Sequence, residues 1–241
     1  MTAASQTAGT AARAFAWGGG VLFVAALACG AHFFIVGLGH VPVEADGRAR
    51  AVVVDVTLFL LFAGHHSLMA RTPAKRWLVR HVPADLERSV YVWTASVLFI
   101  LLCAWWQPVP GQAWRVEGAW AWVARTVQVT GLVLTALAVR LLDALDIAGI
   151  RRVHDAPSVP PQPMSTAGPY GLVRHPIYLG WILMVGAAAD MTVGRLLFAV
   201  LSIGYLIAAV PWEERDLERE FGEAYRDYKA QVRWRVVPGV Y

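Results

Sequence analysis

Four apolar stretches, each long enough to cross a bilayer, constrain this chain more than any other feature. They run from Phe15 to Leu38, Ala51 to Ala70, Ser89 to Trp106 and Trp120 to Leu142. About 20 mostly apolar residues suffice for a spanning helix. Two shorter runs follow, Ile177 to Ala189 and Leu196 to Trp212, broken by the turn residues Asp190 to Gly194. Together they predict a helical hairpin, or a re-entrant pair that does not fully cross. Composition agrees: 57% of the 241 residues are hydrophobic, only 16% are charged, and mean hydropathy is +0.50. Soluble domains carry about 25% charged residues. The expected fold is all-α and integral to the membrane, a bundle of five to six spans with a cytoplasmic C-terminal amphipathic helix.

Charge orients the spans. With six crossings, sixteen of the 21 Lys and Arg residues fall on the side of the two termini. The positive-inside rule then sets both termini in the cytoplasm, in a membrane of the bacterial inner type. Trp105, Trp106, Trp114, Trp120 and Trp122 gather at the opposite interface, where indoles prefer to sit. The net charge of +4 is thus explained by topology and lipid contact, and no basic, aromatic-rich patch for nucleic acid is evident. Cys29 and Cys103 lie inside apolar runs, with neither a disulfide framework nor a metal-ligand spacing.

The sequence divides into a cytoplasmic tail (1–14), a four-span region (15–142) and a C-terminal region (143–241). Between Arg71 and Glu87 a basic loop is expected to form a surface helix. Ile150 to Arg174 is a long connection holding Pro157, Pro160, Pro161 and Pro163, a density that favours extended backbone. Beyond Glu213, Leu217, Phe221, Tyr225, Tyr228 and Val232 recur at gaps of three and four, one face of a helix.

Chemistry concentrates at two places in the C-terminal region. Gly168 to Gly180 reads GPYGLVRHPIYLG. Pro176 suits a first helical turn, whose free N–H groups offer a seat for an anion. Arg174 and His175 stand beside it, and Gly180 would allow a flat group to approach closely. The sixth run ends in Trp212-Glu213-Glu214, and adjacent carboxylates at a bilayer edge need solvent or a cationic partner. One side thus offers anion-binding groups and the other cation-binding groups, a pattern suited to a zwitterion that carries a sulfonium.

Arg174-His175-Pro176-x-Tyr178-x-Gly180, then Glu213-Glu214, then Phe221-Gly222-x-x-Tyr225-x-x-Tyr228, resembles the isoprenylcysteine carboxyl methyltransferase superfamily over residues 168–232. Phe62 to Arg71, Lys75-Arg76-Trp77, Glu87 to Val92 and Asp143 to Arg151 resemble its branch of methanethiol S-methyltransferases and NnrU-like proteins, with His65 where that branch is expected to carry Gln. The resemblance implies S-adenosyl-L-methionine as cofactor, bound by Tyr170, Leu172, Val173, Arg174, His175, Tyr178, Gly180, Glu213 and Glu214. It also implies methyl transfer to a small thiol, methanethiol giving dimethyl sulfide. A thiol must lose its proton to attack well. His66 is the expected acceptor or orienting group, with Asp146 and Arg151 in support. The competing readings are a carboxyl methyltransferase acting on a lipid-linked cysteine, an NADPH-dependent membrane reductase, and a non-catalytic membrane partner.

Overall fold

In a computed structural model, residues 9–41, 47–154 and 164–241 are described. The four prolines of the long connection lie outside them. The chain divides into two compact units interleaved in sequence. Unit 1 comprises residues 1–37, 49–107 and 143–161, and unit 2 comprises residues 38–48, 108–142 and 162–241.

Unit 1 is built on three apolar helices, α1 (Thr10–Ile35), α2 (Arg48–Met69, which starts in unit 2) and α4 (Glu87–Trp105). The short surface helix α3 (Thr72–Leu78) follows α2, as the basic loop predicts. Glycines let α1 and α4 approach closely. A Cβ on Gly19 would meet the Trp93 indole at 2.9 Å, and one on Gly30 would meet Phe99 at 2.6 Å. The same indole donates its N–H to the Phe15 carbonyl at 2.9 Å. Asp55 is fully buried and accepts the Gln107 backbone N–H at 2.7 Å, which terminates α4. The segment after Asp143 forms two single turns, α6 (Ala144–Ile147) and α7 (Arg151–His154).

Unit 2 contains β1 (Gln112–Arg115), α5 (Gly118–Arg140), α8 (Pro176–Gly186), β2 (Asp190–Thr192), α9 (Val193–Phe221) and α10 (Glu223–Gln231). Among the described residues, five helices are long and apolar enough to cross a membrane: α1 with its following turn, α2, α4, α5 and α9. Exposed Trp120, Trp122, Val129, Leu132 and Val133 give α5 a surface fit for lipid rather than water. At 1.5 Å per residue, the 11 residues of α8 extend about 17 Å, roughly half a hydrocarbon core. The chain then leaves the helix, and β2 pairs antiparallel with β1. Backbone groups freed there find partners, as a low-dielectric setting demands: the Ala189 carbonyl accepts from Val116 N–H at 2.8 Å, and the Ala188 carbonyl accepts from the Trp114 indole at 3.0 Å. The hairpin of the last two apolar runs therefore has a strand at its bend, where the sequence suggests only a turn. Thr192 opens α9 by accepting the Arg195 N–H at 3.0 Å.

One boundary differs from expectation. The sequence suggests a span ending at Trp212 and a separate tail helix from Glu213. Instead α9 runs unbroken to Phe221 through Pro211, and the break falls at Gly222. Gly222 has φ of +59°, a conformation that glycine adopts at little cost.

Candidate functional site

Glu213 and Glu214 therefore lie within a helix, not at its end. Being adjacent, they point about 100° apart, and this sends them to different partners. Glu214 is 3% exposed and Arg174 is 9% exposed. Arg174 Nε donates to Glu214 Oε1 at 2.6 Å, and its Nη1 donates to the carbonyls of Val232 and Arg233 at 2.8 and 2.9 Å. On the other carboxylate oxygen, Arg235 Nε donates to Oε2 at 3.2 Å. Glu213 keeps its side chain 43% exposed and accepts the Tyr178 hydroxyl at 2.6 Å.

His175 lies between the two carboxylates. Its Nδ1 lies 3.6 Å from Glu213 and its Nε2 lies 3.5 Å from Glu214, while its ring stacks on Tyr178 with centroids 5.3 Å apart. The turn that presents it is held by the chain after α10. Arg174 and His175 donate their backbone N–H groups to the carbonyls of Trp234 and Arg235 at 2.9 and 2.8 Å. Val236 from the same strap fills a core with Val173, Leu179 and Val210.

One feature differs from expectation. The opposite charges do not stand apart as two poles: Arg174 and Glu214 neutralise each other, because a buried charge is stable only when paired. The backbone donors of Arg174 and His175, just before the anion seat expected at this helix mouth, are taken by the strap. Gly180 also has another use. It faces α5, where an added Cβ would meet the Gly131 carbonyl at 2.6 Å, so the close approach it permits is between helices. Val173 is fully buried in the core, whereas Leu172 is exposed.

The tail contributes aromatic groups. Tyr228 donates its hydroxyl to the Tyr170 carbonyl at 2.7 Å. Burial, with the Glu213 charge, pushes the Tyr170 phenol up to about 12. Burial and Tyr170 likewise push Tyr228 up to about 12. Both are neutral hydroxyls at physiological pH. A groove of about 500 Å³ runs along this tail, lined by Met164, Thr166, Phe221, Asp227 and Tyr228 among others.

The remaining candidates belong to unit 1. The Tyr91 hydroxyl bonds His66 Nδ1 at 2.8 Å, and the Phe62 ring lies 5.7 Å from the imidazole. Asp146 pairs with Arg88 at 3.3 Å, and Arg88 Nε also donates to the Asp146 carbonyl at 2.8 Å. Arg151 is ion-paired with Asp143, which caps α6 by accepting the Leu145 and Asp146 N–H groups at 2.9 and 3.2 Å. The Ser89 hydroxyl donates to the Gly149 carbonyl at 2.5 Å. The start of α4 is thereby tied to the Asp143–Arg151 segment.

Sequence reasoning missed Arg235 and the strap. Arg235 entered only as one more basic residue on one side of the membrane. Nothing in its spacing announces a bond to a carboxylate 21 residues away.

Comparison with known proteins adds an independent line. No protein-family model and no solved structure matches the chain. Several curated proteins do. A methanethiol S-methyltransferase of a Pseudomonas species is 38% identical over 210 residues, 83% of this chain and 80% of its own length. The protein of that name from Mycobacterium tuberculosis is 37% identical over 196 residues, covering 76% and 77%. Nurim of Xenopus laevis is 30% identical over 211 residues, covering 79% and 74%. Identity of this extent, over an all-helical membrane architecture that carries the Arg174–Tyr178 and Glu213–Glu214 pattern, assigns the chain to the methanethiol S-methyltransferase family.

Proposed function

We propose that the protein is a membrane-embedded S-methyltransferase that uses S-adenosylmethionine to methylate methanethiol, giving dimethyl sulfide. The observation that carries this reading is the meeting of Tyr178 and His175 with one exposed carboxylate, Glu213, beside a second that is fully neutralised. A half-exposed, hydrogen-bonded carboxylate beside a buried and fully paired one fits a ligand whose reactive end is cationic. Bound there, S-adenosylmethionine supplies a methyl group on a sulfonium sulfur, already activated towards a thiolate.

The chain's own residues divide the work. Glu213, aligned by Tyr178, attracts the cationic end of the cofactor. Tyr170, Leu172 and His175 border the ligand. Arg174, Glu214, Val173 and Gly180 fix the turn that presents them. The groove along the tail has a volume in the range of small-molecule sites and would take the nucleoside. In unit 1, His66 accepts the thiol proton, held in one orientation by Tyr91. Asp146 and Arg151 brace that unit through Arg88 and Asp143. Positioning contributes most, since holding two reactants in line removes an entropic barrier. Both termini face the cytoplasm in this reading, from the distribution of Lys and Arg.

The test is purified protein with methyl-labelled S-adenosylmethionine and methanethiol. Labelled dimethyl sulfide in the headspace is the expected product. Methylation of a prenylcysteine but not of methanethiol would replace the acceptor with a carboxylate. NADPH oxidation without methyl transfer would replace the reaction altogether.

A further inference from the structure

We propose that Arg235, on the strap after α10, binds the amino-acid carboxylate of the cofactor. The inference rests on the use of S-adenosylmethionine proposed above and names a residue for the ligand's anionic end.

Two guanidiniums pair with Glu214, and they differ in what they have left to offer. Arg174 is buried, with Nε on Glu214 and Nη1 on two backbone carbonyls. Its side chain is only 6% exposed, and moving it towards a ligand would strain its bond to a buried carboxylate, a costly exchange. Arg235 is held on two sides and open on a third. Its Nε donates to Glu214 and its Nη1 donates to the Tyr241 hydroxyl, both at 3.2 Å, with the Tyr241 ring 5.1 Å from the guanidinium carbon. Its side chain is 37% exposed, and Nη2 has no partner among the described residues. A planar guanidinium fixed in this way loses little freedom when it accepts a carboxylate, and its fork matches that group's two oxygens.

Its location supports the same assignment. The Arg235 carbonyl accepts the His175 N–H, so the strap anchors this arginine at the turn that carries His175. His175 reaches Glu213 on its other side. His175 thus has the available carboxylate Glu213 near Nδ1 and, across Glu214 near Nε2, the available cation Arg235. S-adenosylmethionine presents a carboxylate and a sulfonium on one short amino-acid chain, so each end meets its opposite charge. The role expected of Arg174 from sequence passes to the more exposed of the two guanidiniums.

Decarboxylated S-adenosylmethionine, which keeps the sulfonium, the amine and the nucleoside, provides the test. Equilibrium binding of both compounds is measured for the wild type, Arg235→Lys and Arg235→Gln in detergent. Wild type is expected to prefer the intact cofactor by about tenfold or more, the worth of a charge-assisted bidentate bond. Arg235→Gln is expected to bring the two within about threefold by weakening only the intact cofactor, with the lysine variant in between. Equal loss of both compounds in Arg235→Gln would overturn the proposal and leave Arg235 as a support for Glu214. So would a wild type indifferent to the carboxylate, a comparison that needs no variant to fold. A wild type that binds neither compound would instead remove the cofactor reading on which the inference stands.

Discussion

Adjacent carboxylates in one helix carry opposite burdens in this protein. Glu214 is a structural anion, buried between two guanidiniums. Removing one partner of a buried pair leaves an uncompensated charge and costs about 3–5 kcal/mol. Glu214→Gln is therefore expected to lower the detergent-solubilised protein's stability by that order, read as a drop in thermal midpoint. Glu213 keeps 43% of its side chain in solvent and accepts a hydroxyl that an amide oxygen could also accept. Glu213→Gln is expected to shift stability by less than about 1 kcal/mol, as for surface polar groups. An equal loss of stability in both variants would contradict the division.

At the scale of elements, the close pair is α5 against α8, where Gly131 and Gly180 face each other. A methyl at either position must displace backbone, and at Gly180 the Thr135 hydroxyl as well. Gly180→Ala is expected to cost about 1–3 kcal/mol by overpacking, measured by thermal unfolding. A neutral outcome would mean that α8 has room to move. At Gly222, alanine would have to adopt φ of +59°, and a further loss of about 1 kcal/mol or more is expected there. These elements also show how far the sequence could be read. The long apolar runs became α1, α2, α4, α5 and α9 because length and hydropathy alone decide a spanning helix. Pro176 marked the start of α8, since its ring suits a first turn. The end of α9 was misplaced because the change from apolar to charged residues at Glu213 marks where a helix changes surroundings, not where its hydrogen bonds stop. The real stop is Gly222, a residue whose backbone, not polarity, ends the helix. The β1–β2 ribbon left no trace, as three- and four-residue strands are too short for a period-two pattern to show. Arg174–Glu214 was illegible for another reason: the motif names both residues but cannot say that they bind each other.

For the whole molecule, the proposed topology has both termini in the cytoplasm, with Arg71–Arg88 on the same side and Arg115 and Arg195 on the other. Single cysteines placed at Arg76 and Arg233 in a background lacking Cys29 and Cys103 are expected to resist an impermeant thiol reagent in intact cells. One placed at Arg115 is expected to react. Reaction at all three positions, or at Arg76 alone, would contradict the assignment. His66 is proposed to take the thiol proton, not to hold the cofactor. Variants in unit 1, such as His66→Ala, are expected to lower methyl transfer while leaving cofactor affinity within about threefold, if that unit serves the acceptor and its proton. Cofactor binding and turnover falling together would place His66 at the cofactor instead.

The central claim is that Glu213 is the carboxylate facing the cofactor's cationic end. Its most direct test is the equilibrium affinity of purified wild type and Glu213→Gln for S-adenosylmethionine, with thermal unfolding recorded on the same samples. The account predicts a loss of affinity of about 10- to 100-fold, the range for a charge-assisted interaction, with the midpoint nearly unchanged. Unaltered affinity in a well-folded Glu213→Gln protein would contradict it.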